Sequence, residues 1–383
     1  MNDLRQRIHG VITGAAVGDA LGGATEGYTP QQIEARHGGR VTGIVPPWAA
    51  DEWATARPIA PYHKGDGHIT DDTLMTRALI ETYAARPTHL DAYAVAEEFV
   101  PRLMGEPTWI PELGREAILL QRIFLAEKWL VARLHYGHVD PREAGSGNIV
   151  NCGAAMYMAP VGVVNAADPV AAYAEAIDLA APHQSSYGRE AAGVFAAAVA
   201  ASLAPGATVT SVVDACLDVA HDGTRAAIEA VVKAATSATG APAAELGAAL
   251  RAAVEPYDTV GPDYRHPAAD ARRPSRTKSI EELPVALGFV VAHDGDFRDA
   301  VLGAVNYGRD ADSIATMAGA VCGGLGGAEV VPTDWLRTIE ANSRMDITAS
   351  ADQLADITSR VLAADRARYL ARAAEIDVLL GIA

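Results

Sequence analysis

Aromatic side chains are scarce, at 6% of the 383 residues, while 50% are hydrophobic and glycine alone accounts for 35 positions. A β-sandwich or barrel would want more valine, threonine and aromatics. A chain rich in alanine and glycine suits closely approaching helices. Cysteine is rarer still: Cys152, Cys216 and Cys322 stand far apart with no C-x-x-C pair. That spacing gives neither a disulfide framework nor a zinc site, and reads as three buried thiols. Positive charge is short as well, with 31 Lys and Arg against 48 Asp and Glu and a net charge of −17. Nucleic acid or an anionic membrane surface is therefore not expected as a main partner, because phosphate binding needs clustered basic residues. An anionic small ligand stays possible if metal ions supply local positive charge. No uninterrupted apolar run reaches the ~18 residues of a membrane span. Arg, His and Asp interrupt the opening "MNDLRQRIHGVITGAAVGDALGG", so it lacks a secretory h-region. A soluble, cytoplasmic protein is expected.

What is present is helical periodicity almost throughout. Helices are expected over 3–23, 30–37, 71–85, 91–104, 112–134, 169–181, 187–203, 208–221, 223–236, 242–254, 280–292, 296–305, 313–325 and about 351–378. Gly18 and Gly22 in the first helix share a face and permit close backbone approach. "SIEEL" at 279–283 has the Ser-x-x-Glu form of a capping box. Two long irregular segments, 30–69 after its short helix and 255–278, are proline-bearing. The first also holds Trp48, Trp53, Tyr62 and His63, either a pocket wall or lid or a surface loop pinned by tryptophans. No strand-rich region, fixed-period repeat or low-complexity linker is visible.

Two short stretches concentrate negative charge at helix entrances. "TDDT" at 70–73 offers Thr70, Asp71 and Asp72; "GRDADSIATMAG" at 308–319 offers Asp310, Asp312 and Ser313. One carboxylate per helix is ordinary capping. Crowded carboxylates repel and call for a cation, a proton or open solvent. With oxygen ligands only, the clusters suit Mg²⁺, Mn²⁺ or Ca²⁺ better than zinc. Two readings remain: one metal centre if the entrances meet, or two separately capped helices if they do not.

"GAAVGDALGGATEG", "ITDDTLMTRALI" and "GRDADSIATMAGAVCGGLGG" closely resemble, in order, the three signature stretches of the ADP-ribosylglycohydrolase family. The resemblance covers roughly residues 5–340. It implies an all-α, orthogonal multi-helix catalytic domain, here 1–345, with 346–383 as a helical extension packed on it. It also implies a binuclear Mg²⁺ or Mn²⁺ site at the bottom of a cleft. Carried over residue by residue, Thr70, Asp71, Asp72, Asp310, Asp312 and Ser313 would be metal ligands, Ser313 standing where many relatives have threonine. Glu26 would be the general base, with Asp312 as its catalytic companion. "NIVNCGAAMYMAPVG" resembles the family's glycine-bearing segment, which makes Asn151, Gly153 and Tyr157 candidate substrate contacts. Cys152 and Tyr157 depart from its usual pattern, in which an arginine is common at the tyrosine. His183 and Tyr187, in "APHQSSYGRE", are the remaining candidates. The structural alternatives are a helix start packed with small residues and a buried histidine.

The activity implied is hydrolysis of the bond at the anomeric carbon of ADP-ribose, on a protein side chain or a small acceptor. Two alternatives are a hydrolase of a nucleoside or other small riboside, kept open by Tyr157, and a non-catalytic ADP-ribose reader, which would not need Glu26. "TDDTLM" lacks the D-D-x-x-D spacing of a terpene cyclase, and no P-loop is present.

Overall fold

The computed structural model describes residues 3–47, 65–105, 107–111, 114–258, 261, 264 and 279–382. Trp48, Trp53, Tyr62, His63 and most of 255–278 lie outside the described residues. The helices in order are α1 (Asp3–Gly22), α2 (Pro30–His37), α3 (Asp71–Ala85), α4 (Ala92–Ala94), α5 (Val100–Gly105), α6 (Leu125–Leu130), α7 (Ala159–Val164) and α8 (Pro169–Ala180). They continue as α9 (Ser186–Ser202), α10 (Val209–Val219), α11 (Asp222–Ser237), α12 (Ala243–Val254), α13 (Ser279–Ala292), α14 (Phe297–Tyr307), α15 (Ala311–Gly326), α16 (Thr333–Ser343) and α17 (Ile347–Leu380). The fold is all-α, and no described helix is long and apolar enough to cross a membrane.

Small residues decide how the centre is built. Glycine recurs every fourth position along α1, and each faces the backbone of the antiparallel α15. A Cβ placed on Gly10, Gly14, Gly18 or Gly22 would lie 2.1, 2.4, 2.1 or 2.4 Å from the carbonyl oxygens of Gly323, Gly319, Ala315 and Ala311 respectively. Nothing larger than hydrogen fits in that seam. The two helices therefore meet backbone to backbone, and the C-terminal end of α1 is pinned beside the N-terminal end of α15. Around this pair lie α3, α7, α9, α13, α14 and the first half of α17. The core they enclose is aliphatic, with Phe99, Phe195 and Phe289 among its few large aromatics.

The sequence expectation fails at 112–134. Pro107–Ile110 and Arg115–Ile118 instead form an antiparallel two-stranded hairpin, pairing Pro107 with Ile118 and Ile110 with Arg115. Pro111 and Gly114 turn the chain there, and both are poor in a helix interior. A 3₁₀ turn at Leu119–Gln121 follows, and α-helix resumes at α6, which runs into a π-helical turn over Val131–Tyr136. The helix expected at 91–104 forms, but with a π-helical turn over Val95–Phe99 between α4 and α5. Helix α16 was not anticipated. Along α17, Ile347, Ala351, Leu354, Ile357 and Val361 are buried, whereas Tyr369, Leu370, Val378, Leu379 and Leu380 are exposed.

Candidate metal centre and active site

The α1–α15 seam carries Asp19 and Glu26 to the entrance of α15, and α3 starts in the same place. Asp19, fully buried within α1, serves as the distant cap of α3. Its carboxylate accepts hydrogen bonds from the backbone amides of Thr70 (3.0 Å) and Thr73 (3.1 Å) and from both threonine hydroxyls. A carboxylate against free amides at a helix N-terminus is stabilised by hydrogen bonding and by the helix dipole. Thr70 in turn accepts from the Asp72 amide at 3.3 Å. These bonds fix the first turn of α3 and aim Asp71 and Asp72.

The other wall is held by the loop before α15. Gly308 (φ 72°) and Arg309 (φ 57°) take left-handed conformations. A Cβ on Gly308 would lie 2.0 Å from the Tyr28 carbonyl oxygen, so only glycine fits there. The Gly27 amide donates to the Arg309 carbonyl (2.6 Å), and the Arg309 amide donates to the Tyr28 carbonyl (3.0 Å). That reciprocal pair locks Glu26 beside Asp310 and Asp312. The Arg309 side chain points away from the carboxylates, lying 2.6 Å from Glu281 and 3.1 Å from Asp258.

The result is a cavity of about 330 Å³ whose described lining includes Glu26, Asp71, Asp72, Asn151, Gly153, Asp310, Asp312 and Ser313, with Phe124, Glu127, Cys152, Met156 and Tyr264. The two acidic entrances therefore meet, and the reading as separately capped helices is set aside. Ligand atoms of Asp19, Asp72 and Asp312 lie within 4.8 Å of one another, as do those of Glu26, Asp310 and Asp312. Burial, followed by the Asp19, Asp71 and Asp310 charges, pushes the Asp72 carboxyl well above its usual range. Asp312 is pushed the same way by burial, then by Glu26, Asp72 and Asp310. Asp72 Oδ1 is buried without a hydrogen-bond partner among the described residues. An oxygen so placed among like charges fits a divalent cation, which satisfies it and neutralises its neighbours. Ser313 adds a hydroxyl to the lining, whereas the Thr70 hydroxyl donates to Asp19 at 2.6 Å and is not among the described lining. Asp71 lines the cavity and accepts from the Phe124 amide at 3.1 Å.

The remaining candidates have more structural parts. Asn151 caps the 3₁₀ turn Cys152–Tyr157, accepting from the Gly153 amide (3.1 Å) and Gln184 (2.7 Å). A Cβ on Gly153 would lie 2.3 Å from a Glu127 carboxylate oxygen, so the glycine is a close-approach position. Tyr157, His183 and Tyr187 are not among the described residues lining the cavity. Tyr157 and His183 lie buried, with the tyrosine hydroxyl 3.0 Å from His183 Nδ1 and the rings stacked. Tyr187 lies against Gly223 of α11. A larger cavity of about 490 Å³, between α2, α12 and α14, holds none of the clustered carboxylates.

Sequence reasoning missed Asp19, Glu127 and Glu282. Asp19 carried one usable signal, a lone charge amid the alanines and glycines of an apolar helix. Glu282 was read as the far half of a capping box; instead both its carboxylate oxygens are buried without a hydrogen-bond partner, because the helix turns it inward. Cys152 is buried, as expected of all three thiols, but its Sγ lies 2.9 Å from Asp310.

Residues 1–368 match the ADP-ribosylglycohydrolase family model. The chain is 31% identical over 149 residues to ADP-ribosyl-[dinitrogen reductase] glycohydrolase of Rhodospirillum rubrum, an alignment spanning 39% of this chain and 43% of that protein. It is 26% identical over 363 residues to the uncharacterized protein YegU of Escherichia coli (strain K12), covering 91% and 96% of the two chains. A solved structure described as an ADP-ribosylglycohydrolase-related protein complex superposes with a TM-score of 0.62 at 21% identity, covering 94% of this chain and all of that one. The chain belongs to the ADP-ribosylglycohydrolase family, and is an enzyme of the glycosidase type.

Proposed function

We propose that the protein is a divalent-metal-dependent hydrolase that cleaves the glycosidic bond at the anomeric carbon of ADP-ribose, freeing a protein side chain or small acceptor. The observation that carries this reading is the convergence of Glu26, Asp72, Asp310 and Asp312 on one cavity, with Asp72 Oδ1 buried and unpartnered. Asp72, Asp310 and Asp312, with the hydroxyls of Thr70 and Ser313, are the residues that would hold Mg²⁺ or Mn²⁺. When bound, such ions supply Lewis acidity and fix the ribose hydroxyls.

The protein's own groups account for the rest. Departure from the anomeric carbon passes through an oxocarbenium-like state. Glu26, held by the Gly27–Arg309 backbone pair, is the base that takes a proton from the attacking water. Carboxylates crowded into the cavity also stabilise the positive charge that develops on the sugar. Asn151 and Gly153 shape the wall on which the substrate rests.

A hydrolase of a smaller riboside is the second reading, favoured by the cavity lining. Among its described residues there is no Arg, Lys or His to meet a diphosphate, and Tyr157 is buried away from it. Turnover assays on arginine-linked and serine-linked ADP-ribose and on simple nucleosides, with and without Mn²⁺, separate the two. The ADP-ribose reading expects metal-dependent release of ADP-ribose that Asp312→Asn abolishes while the helical circular-dichroism spectrum is kept. Undiminished turnover in Asp312→Asn would sink it.

A further inference from the structure

Next to the carboxylates described above lies a third ligand set with different chemistry. Cys152 Sγ and carboxylate oxygens of Glu282 and Asp310 lie within 4.8 Å of one another. They come from three separate parts of the chain: the 3₁₀ turn, the first turn of α13 and the entrance to α15. Cys152 Sγ stands 2.9 Å from Asp310 Oδ2.

Glu282 is the residue that calls for an occupant. It is 0% exposed, and neither carboxylate oxygen has a hydrogen-bond partner among the described residues. Its neighbour Glu281 differs in having cationic and hydroxyl partners on one of its two carboxylate oxygens. Glu281 accepts from the Tyr307 hydroxyl at 2.6 Å and the Arg251 guanidinium at 3.1 Å, and Arg309 lies 2.6 Å away. Among the described residues, the nearby cations Arg251 and Arg309 are spent on Glu281. A protonated Glu282 would bury a hydroxyl with no acceptor, and an ionised one would bury an uncompensated charge, both unfavourable. A bound cation resolves both.

We propose that Cys152, Glu282 and Asp310 bind a further divalent cation, and that the sulfur makes the site selective for a thiophilic ion such as Zn²⁺ or Co²⁺ over Mg²⁺. Thiolate ligands favour the softer metals, whereas carboxylates alone suit hard ones. Binding forms a metal–sulfur bond and releases the thiol proton to solvent, as metal binding to cysteine does generally. Asp310 also belongs to the Glu26–Asp310–Asp312 set, and Asp312 to the Asp19–Asp72–Asp312 set. The three sets therefore form a string joined by shared aspartates. A thiophilic ion at the Cys152 end competes for Asp310, so it weakens the hold of the neighbouring set. The inference stands whether or not the substrate is ADP-ribose.

Titration of the metal-free protein with Co²⁺ tests it without substrate. The expected result is a near-ultraviolet thiolate-to-cobalt charge-transfer band that Zn²⁺ displaces and Mg²⁺ does not. Cys152→Ser should abolish the band, Cys216→Ala should leave it intact, and Glu282→Gln should weaken the Co²⁺ affinity behind it by about tenfold or more. Protection of Cys152 from alkylation by Zn²⁺ but not Mg²⁺, read by peptide mass, checks the wild-type protein should Cys152→Ser fail to fold. Absence of the band in protein that binds Co²⁺, its persistence in Cys152→Ser, or equal protection by both metals would overturn the proposal.

Discussion

At the scale of single residues, the centre is governed by carboxylates that the fold forces together. Asp72 and Asp312 are almost wholly buried among Asp19, Asp71, Asp310 and Glu26. A ligand that binds only the folded state stabilises it by mass action, about 2.7 kcal/mol at a hundredfold excess over Kd. Mn²⁺ should therefore raise the melting temperature of the wild-type protein clearly, and hardly that of Asp312→Asn; equal shifts by differential scanning calorimetry would argue against Asp312 as a ligand. Gly153 offers a second test. Alanine there would bring its Cβ to 2.3 Å from Glu127, displacing the cavity wall. Misplacement by an ångström costs on the order of a hundredfold in rate, so Gly153→Ala should lower kcat/KM strongly with little change in far-ultraviolet circular dichroism. The pairing of aspartates with a hydroxyl at two helix entrances was legible in the sequence. Glu282 and Asp19 were not, because their meaning depends on which distant groups face them. Glu282 even sits in a pattern whose local reading, a capping box, is physically reasonable.

At the scale of elements, the α1–α15 seam sets the geometry of everything above it. Gly18 and Gly22 suggested close approach from their spacing alone, but the partner needed the fold: the carbonyls of Ala315 and Ala311 fill the space. Gly18→Val should force the helices apart. Overpacking of this kind costs about 1–3 kcal/mol or more, and because α15 carries Asp310 and Asp312 the Mn²⁺ affinity should fall with the melting temperature. A stable variant with unchanged metal affinity would show that the seam does not position the site. The hairpin at 107–118 was missed since a four-residue strand gives too little periodicity to outweigh helical flanks. Further along the chain, α17 is tied to the body by His89. Its Nδ1 lies 2.6 Å from Glu175 and its Nε2 3.1 Å from Asp365 of α17. The hydrogen bond with Glu175, opposed by burial and helped by Asp365, raises His89 from 6.5 to about 9. A histidine with a raised folded pKa adds stability below its unfolded pKa and loses it as pH rises through the folded one. Amide exchange over 347–361 should therefore quicken, beyond its intrinsic pH dependence, as pH passes from 6.5 to about 9. His89→Gln should remove that extra dependence; an unchanged profile would remove the histidine from the account.

At the scale of the whole molecule, the low aromatic content and the negative charge fit together. A body of small-residue helices brings backbones close enough to converge three distant chain segments on one point. The charge concentrated there suits cations. The family was legible because the three signature stretches kept their order, and the helical class because small residues and helical periodicity run through most of the chain. The substrate-facing wall was less so: Tyr157, His183 and Tyr187 looked like contacts in one dimension, yet Tyr157 and His183 pack into the interior against each other.

The measurement that bears most directly on this account is calorimetric titration of ADP-ribose into Mn²⁺-loaded protein, with metal-free protein and Asp312→Asn as controls. The account predicts binding that requires both the metal and Asp312. Binding of equal strength in Asp312→Asn, or none in protein shown to hold its metals, would contradict it.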